Sequence, residues 1–372
     1  MLLATSRSNL ILNAYVESLR RLSRHPAWAQ MRVGRQIRCG GSKREHPLAS
    51  ISLTLNDPSL PSQYQRHVLN GGTGVAIRIR EHRIPTQKSG PYICVEGPDR
   101  KLWFCESGAA TIGCFDPVSE RFTEFSLPTR DATPIGIALG SDNHLWFAQK
   151  RAGRIGRIST TGLLSEFALP TENAGPDGIA LGPDGNIWFS ETDTDQIGRI
   201  TPGGTITEFK DGISAGSKPL SIVVRDGALW FSEAAGNRVA RMTPDGIVTE
   251  FNIPGDDPQP RAMVTHPDGS IWFVETGANA LGRIGRDNRF SEFKFPTPNA
   301  SLRGVTVGPD DCLWCTENVA NKIGHMRPDG TLIGEYDIPT AASGPRCIAC
   351  LSNGRLYFTQ YDAGLIGEII LD

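Results

Sequence analysis

The sequence contains no apolar run of the roughly 20 residues that a membrane-spanning helix needs. Its start is rich in arginine but lacks the apolar core and the small-residue cleavage site of a secretory signal. The body of the chain is not basic, because residues 71–372 carry 28 Lys and Arg against 37 Asp and Glu. We therefore expect neither a membrane nor a nucleic acid as a partner.

Residues 1–70 differ in charge, with 10 Lys and Arg against 3 Asp and Glu. We interpret this segment as a basic N-terminal extension that the fold does not need. It is either a disordered tail or the product of a start codon placed too far upstream. An organellar transit peptide has a similar composition and is the alternative.

The cysteines do not form the pattern of a zinc site. Cys312 and Cys315 are three residues apart, as are Cys347 and Cys350, and each pair lies partly in a predicted strand. Positions three apart on a strand point to opposite faces of a sheet, so neither pair can hold one metal ion together. Unpaired cysteines at irregular positions favour a reducing compartment, and we predict a cytoplasmic protein.

An internal repeat dominates the rest of the chain. An apolar residue followed by an aromatic one recurs seven times at a spacing of 42 or 43 residues. Six of the seven tryptophans occupy this position. The aromatic residues are Trp103, Trp146, Trp188, Trp230, Trp272, Trp314 and Tyr357.

Each repeat contains four short β-patterns separated by turns such as GPDG and TPDG. Four antiparallel strands every 40 to 45 residues are typical of a propeller blade. The last repeat lacks its fourth strand, and residues 75–86 supply a matching segment. We therefore predict an all-β fold: a seven-bladed β-propeller at 71–372, whose last blade is closed by the N-terminal strand. An open solenoid is disfavoured by this split blade.

Two positions vary between the repeats and are expected to surround one mouth of the central channel. The first opens each repeat and holds Tyr92, Ile135, Asp177, Leu220, Arg261, Arg303 and Arg346. The second ends each second strand and holds Glu106, Gln149, Glu191, Glu233, Glu275, Glu317 and Gln360. Tyr361 and Asp362 follow the second position in the last repeat.

Three adjacent repeats contribute an arginine to the first position, which predicts a basic arc. Guanidinium groups suit carboxylate or phosphate ligands. We predict a ligand-binding site made of Tyr92, Asp177, Arg261, Arg303, Arg346, Glu317 and Tyr361. Alternatively, each arginine pairs with a nearby glutamate, for example Arg303 with Glu317, and only ties two loops together.

Histidine, the usual general base near neutral pH, is absent from both variable positions. The predicted propeller contains His82, His144, His266 and His325, and none of them is placed at the channel mouth. No Ser-His-Asp order or phosphate-binding glycine loop is present either.

The repeats resemble those of the virginiamycin B lyase, or streptogramin lyase, family over residues 75–372. The motifs that carry the resemblance are DGIALGPDGNIWFSE at 177–191, ITEFK at 206–210 and ANKIG at 320–324. The resemblance implies a monomeric seven-bladed propeller with a role in antibiotic resistance. It also implies Mg²⁺-dependent β-elimination at the ester bond of a cyclic depsipeptide antibiotic, with a histidine as the base.

The functional positions implied by the resemblance match only in part. Tyr92 matches the family's aromatic residue, whereas the two histidine positions hold Arg303 and Arg346. The metal-binding acids fall on Gly344 and Tyr361. Asp362 is next to Tyr361 and is a candidate metal ligand.

Arginine stays protonated at pH 7 and cannot act as a base, so three hypotheses follow. The first is a propeller that binds a small, anionic molecule or an acidic peptide end. The second is another carbon-oxygen lyase or a hydrolase that uses Tyr92, Asp362 and the glutamates. The third is the family's Mg²⁺-dependent lyase with replaced site residues.

Overall fold

The computed structural model describes residues 77–371 and contains 28 β-strands. The predicted basic extension at 1–70 lies outside these residues, as do 71–76 and 372 of the predicted propeller. Within 77–371 the chain forms no helix that could span a membrane. The strands form seven four-stranded antiparallel sheets, so the predicted seven-bladed β-propeller is confirmed.

The strands of each blade follow one another from the central channel outward. The first strands are β2 (Pro91–Glu96), β6 (Pro134–Leu139), β10 (Pro176–Leu181), β14 (Pro219–Arg225), β18 (Pro260–Thr265), β22 (Leu302–Val307) and β26 (Pro345–Cys350). The second strands are β3 (Leu102–Glu106), β7 (Leu145–Gln149), β11 (Ile187–Glu191), β15 (Ala228–Glu233), β19 (Ile271–Glu275), β23 (Leu313–Glu317) and β27 (Leu356–Gln360).

The outer half of each blade has the same regular order. The third strands are β4 (Thr111–Asp116), β8 (Arg154–Ile158), β12 (Gln196–Ile200), β16 (Arg238–Met242), β20 (Ala280–Ile284), β24 (Lys322–Met326) and β28 (Leu365–Leu371). The fourth strands are β5 (Arg121–Ser126), β9 (Leu164–Ala168), β13 (Ile206–Phe209), β17 (Val248–Asn252), β21 (Phe290–Lys294), β25 (Leu332–Asp337) and β1 (Ile77–Arg83).

The ring closes through β1, as the sequence predicts. This strand pairs with β28 from Ile77 opposite Leu371 to Arg83 opposite Leu365. Thr340 at the end of blade six donates from its backbone N and its Oγ1 to the two carboxylate oxygens of Glu81, over 3.1 and 2.9 Å. Thr171 makes the same pair of bonds to Glu208 between blades two and three. The closing junction is therefore built like an ordinary one.

The repeated aromatic residues fill the space between blades. Each of them is at most 1% exposed. Trp103 of blade one packs in one cluster with Phe147 of blade two, and Tyr357 of blade seven packs with Phe104 of blade one. Burying seven such rings removes a large apolar area from water and holds neighbouring blades together.

Candidate functional site

A β-bulge in every first strand places the variable first position at the channel mouth. In blade three, Pro176 lies opposite Glu191 and Ile179 opposite Phe189, so the first strand has one residue more than its partner. The same irregularity occurs in the other six blades. The variable residue, here Asp177, follows directly after the pair formed by Pro176 and therefore lies within the bulge. A bulge at this point directs its side chain out of the sheet.

Hydroxyl groups of the second strands satisfy the backbone of these bulges. Thr359 accepts a hydrogen bond from the backbone N of Cys347 and donates to the carbonyl of Tyr92, over 3.0 and 2.6 Å. Thr316 bonds in the same way to the backbone N of Gly304 and the carbonyl of Arg346. At Arg346 these bonds hold both polar atoms of the peptide group that follows the variable residue, so its side chain projects from a fixed base.

The bulges surround a cavity of about 870 Å³. All seven first-position residues line it: Tyr92, Ile135, Asp177, Leu220, Arg261, Arg303 and Arg346. Blades one to four add an apolar wall of four isoleucines: Ile93, Ile137, Ile179 and Ile222. The cavity therefore has a basic side formed by blades five to seven. Across from it the isoleucines lie beside two lysines and two aspartates, Lys150, Lys218, Asp177 and Asp193.

The three arginines of the basic side have no acidic partner among residues 77–371. No carboxylate there lies within 4.0 Å of the guanidinium groups of Arg261, Arg303 or Arg346, whereas other arginines such as Arg238 have close ion pairs. The Nε atoms of all three are buried without a hydrogen-bond partner. Burial lowers the pKa of Arg303, and the charges of Arg261 and Arg346 lower it further. The pairing of Arg303 with Glu317 that the sequence left open is not formed.

Two tyrosines hold Arg346 in place. Its guanidinium lies 4.4 Å from the ring centre of Tyr361 and 5.0 Å from that of Tyr92. The Tyr92 hydroxyl accepts a long hydrogen bond of 3.5 Å from the same group. Tyr361 contacts Arg346 but does not itself line the cavity. Stacking on aromatic faces fixes the guanidinium while leaving N–H groups free for other partners.

Asp177, on the far side of the cavity, is already neutralised. Lys150 Nζ lies 2.7 Å from its Oδ2. Lys218 and Asp193 form a longer, more exposed pair of 3.8 Å. The cavity lining thus contains five cations against three carboxylates, since Asp257 also lines it. Its net charge is positive.

The second variable position lies away from the cavity. Glu317 is fully buried and is not among the lining residues. Burial, and then the charge of Glu335, raises its pKa to about 8. The residue that follows this position does line the cavity in three blades: Lys150, Thr192 and Ala234. These three residues follow the last residue of each second strand, so the sequence prediction missed them by one position.

The positions implied for Mg²⁺ do not fit that ion. Gly344 has no side chain, and a β-carbon there would collide with the Asp362 carboxylate. Gly175 and Asp193 make the same close contact in blade three, so it is a repeated feature of the fold. The positions implied for catalysis and metal binding hold Tyr361, Gly344, Arg303 and Arg346, and none of these side chains is a carboxylate. The exposed Asp362 next to Tyr361 offers a single carboxylate, whereas Mg²⁺ requires several oxygen ligands. These residues therefore do not form an Mg²⁺ site.

Comparison with known proteins identifies relatives. The sequence profile of the virginiamycin B lyase family matches residues 64–224 and 213–372. The virginiamycin B lyase from Staphylococcus aureus is 36% identical, with a TM-score of 0.76, over 80% of this chain and 100% of that one. A streptogramin B lyase structure is 35% identical, with the same TM-score, over 80% of this chain and 98% of that one. No curated protein shows a significant match.

One further structure adds a ligand to the comparison. It contains a catalytically inactive histidine-to-alanine variant of the Staphylococcus aureus enzyme with quinupristin, and is 35% identical over 80% of this chain and 100% of that one, with a TM-score of 0.76. A WD40 propeller domain of Doa1 is only 11% identical, at a TM-score of 0.65, and shows the fold alone. The profile matches, which cover the whole described propeller, establish that this chain belongs to the virginiamycin B lyase family.

Proposed function

We propose that the channel-mouth cavity binds a small anionic ligand and that the chain does not carry out the elimination of its family by the usual route. The single observation that carries this proposal is the set of three adjacent, unpaired arginines: Arg261, Arg303 and Arg346. Three like charges with buried N–H groups lower the stability of the empty protein. An anion would relieve the repulsion and accept the unused hydrogen bonds.

The shape of the cavity suggests what else the ligand carries. Guanidinium groups bind carboxylate or phosphate oxygens in a forked geometry. The opposite wall of isoleucines offers an apolar surface to the rest of the molecule. A ligand with an acidic group at one end and an apolar body at the other would satisfy both sides. The acidic end of a peptide belongs to the same chemical class.

The chemistry of the arginines argues against the elimination. That reaction needs a base that takes up an α-proton, and a guanidinium has no free electron pair near pH 7. It also needs carboxylates that hold a magnesium ion beside the ester, and the two positions implied for them hold Gly344 and Tyr361.

Another carbon-oxygen lyase or a hydrolase is the second candidate. The observation that favours it is the Tyr92 hydroxyl, which lies within 3.5 Å of the Arg346 guanidinium at the edge of the cavity. A tyrosine beside a cation can serve as a proton donor. Asp362 is exposed nearby, but its carboxylate is packed against Gly344.

Ligand binding is tested by the melting temperature of the full chain with hexanoate, acetate, inorganic phosphate and hexylammonium. Hexanoate is expected to stabilise the protein with the logarithmic dependence of a ligand that binds only the native state. Acetate and phosphate should act more weakly, and hexylammonium should have no effect. Arg303→Gln and Arg346→Gln should abolish the hexanoate effect. Arg289 directly precedes β21 and its side chain is 88% exposed, so Arg289→Gln should retain the hexanoate effect.

Equal responses to hexanoate and hexylammonium would refute the proposal, as would an unchanged response in both arginine variants. The reaction is tested separately with a type B streptogramin, with and without Mg²⁺, by chromatography and mass spectrometry. Elimination gives a shifted peak of unchanged mass, and hydrolysis adds the mass of water. We expect intact substrate. A shifted peak of unchanged mass would show that the family reaction is retained.

A further inference from the structure

A second group of chemically distinctive side chains lies at the other end of blade six. Strand β22 starts at the cavity and ends at a turn that contains Asp310 and Cys312. His325 on β24 reaches this turn, and its Nε2 lies 2.8 Å from Asp310 Oδ2. The potential ligand atoms of the three residues all lie within 4.8 Å of one another. Among residues 77–371 no other three His, Cys, Asp or Glu side chains come so close together.

Blades two, three and five keep the aspartate of this turn but hold different residues at the other two positions. Blades two, three and five place an arginine where blade six has His325, and it pairs with the aspartate of the same turn at 3.6, 3.7 and 3.3 Å. The corresponding triplets are Asp142, His144 and Arg157; Asp184, Asn186 and Arg199; Asp268, Ser270 and Arg283. Blade six has thus exchanged a fixed cation for an imidazole and has gained a thiol.

This exchange changes what the turn can bind. Arg157, Arg199 and Arg283 each supply a positive charge to the aspartate beside them, whereas the imidazole of His325 supplies none of its own when neutral. Asp310 keeps its carboxylate, which also accepts a hydrogen bond from Trp314 Nε1 over 3.1 Å. A divalent cation beside Asp310 would supply the charge that a paired arginine supplies in blades two, three and five.

The three donor types together match zinc. Zn²⁺ is bound by thiolate, imidazole and carboxylate, and three protein ligands leave a fourth position for water. Mg²⁺ does not favour sulfur or nitrogen. His325 is 1% and Cys312 8% exposed, which fixes their side chains, whereas the Asp310 side chain is 31% exposed. An ion can therefore reach the group from solvent past Asp310.

We propose that Asp310, Cys312 and His325 form a zinc site on the face of the propeller that lies away from the cavity. Cys315, which the sequence places beside Cys312, is fully buried in the core and is not part of this group. The partner of Cys312 is instead across the hairpin of β23 and β24. The site is independent of the proposed ligand cavity.

The competing explanation is that His325 only replaces an arginine as the hydrogen-bond partner of Asp310. The two explanations differ in what Cys312 does. In a zinc site the thiolate is a ligand, and removing it removes the ion. In a hydrogen-bonded turn the sulfur is a small buried side chain, and serine in its place changes little.

The test uses the full chain, treated with a chelator and titrated with Co²⁺ as a spectroscopic substitute for Zn²⁺. The proposal predicts the visible and near-ultraviolet bands of thiolate-bound cobalt at one equivalent, and their loss when Zn²⁺ is added. Cys312→Ser should lose the thiolate band, and His325→Arg, which restores the residue of blades two, three and five, should lose cobalt binding. Cys114→Ser, at the position in blade one that corresponds to His325, should keep the full spectrum. Mg²⁺ should not compete.

Absence of the bands in the parent chain would overturn the proposal, as would bands that persist in Cys312→Ser. His325→Arg is a second test in case the serine variant does not fold, because arginine at this position already occurs in blades two, three and five. Its melting temperature without metal should equal or exceed that of the parent chain. Bands that survive in this variant would likewise count against the site.

Discussion

The side-chain amide of Gln149 donates a hydrogen bond to the carboxylate of Glu166 over 3.0 Å, inside blade two. Five other blades have a glutamate at the position of Gln149. Each of these glutamates faces the glutamate of its own fourth strand that corresponds to Glu166. Burial raises the pKa of these inner carboxyls to about 8 in Glu106, Glu191, Glu275 and Glu317, and to about 7 in Glu233. A protonated glutamic acid can donate as the amide of Gln149 does.

The first prediction concerns pH. Because the pKa of folded Glu106 lies above its ordinary value of 4.5, the folded protein binds the extra proton, and stability falls as pH rises from about 4.5 to about 8. Glu106→Gln should change stability little at pH 5 and raise the free energy of unfolding by about 3–4 kcal/mol at pH 8. Denaturant unfolding at both values measures this.

Gln149→Glu is the reciprocal control. It should cost little at pH 5 and destabilise the protein at pH 8, because it places a second carboxyl beside Glu166. Equal effects of either substitution at the two pH values would show that the inner carboxyls are ionised in the folded protein.

The second prediction concerns the support of Arg346. The guanidinium lies over the Tyr361 ring, so the ring face rather than the hydroxyl should hold it. Tyr361→Phe should leave the affinity for hexanoate unchanged, whereas Tyr361→Ala should weaken it about tenfold, in line with a cation–π contact of about 1.4 kcal/mol. Titration calorimetry of the three proteins measures the change. A loss in Tyr361→Phe as large as in Tyr361→Ala would assign the effect to the hydroxyl.

The third prediction concerns the charge opposite the arginines. Lys150→Met leaves Asp177 without its partner and should weaken hexanoate binding about five- to tenfold. Asp177→Asn removes the negative charge and should strengthen it. Both effects should shrink at high salt, because part of the interaction acts through solvent. Changes of the same sign in the two variants would contradict a purely electrostatic contribution.

The fourth prediction concerns ring closure. Glu81→Ala removes the acceptor of both Thr340 hydrogen bonds and should cost about 1.5–3 kcal/mol of stability. Glu208→Ala removes the corresponding contact of Thr171 and should cost about the same. The exposed Glu172→Ala serves as the neutral control. A cost near zero for Glu81→Ala alone would mean that the closing strand contributes little to the fold.

The fold could be predicted because its determinants repeat. The Trp188 position recurs in each blade at nearly constant spacing, and a missing strand in the last repeat pointed to residues near Glu81. The site was harder to predict. Arg303 and Arg346 stood out as departures from the repeat, but the register did not reveal that Glu317 faces into the blade.

The blade-six turn was missed for a related reason. Cys315 is close to Cys312 along the chain, whereas the spatial partner of Cys312 is His325, thirteen residues on. Only strand pairing brings these two side chains together. Two features of the sequence indicate this group. His325 departs from the arginine of other repeats, and the thiol of Cys312 lies two residues after Asp310.

The extra residue in each first strand has a consequence for how such a protein can change. Because the bulge residue stands outside the regular pairing, its side chain can change without altering the register of the strands. Arg346 could be exchanged for another residue without disturbing the tyrosine ring at position 357 or the strand beside it. Seven positions around one opening can thus hold different side chains on one scaffold, and a change among them alters what the cavity binds while the strand pairing stays constant.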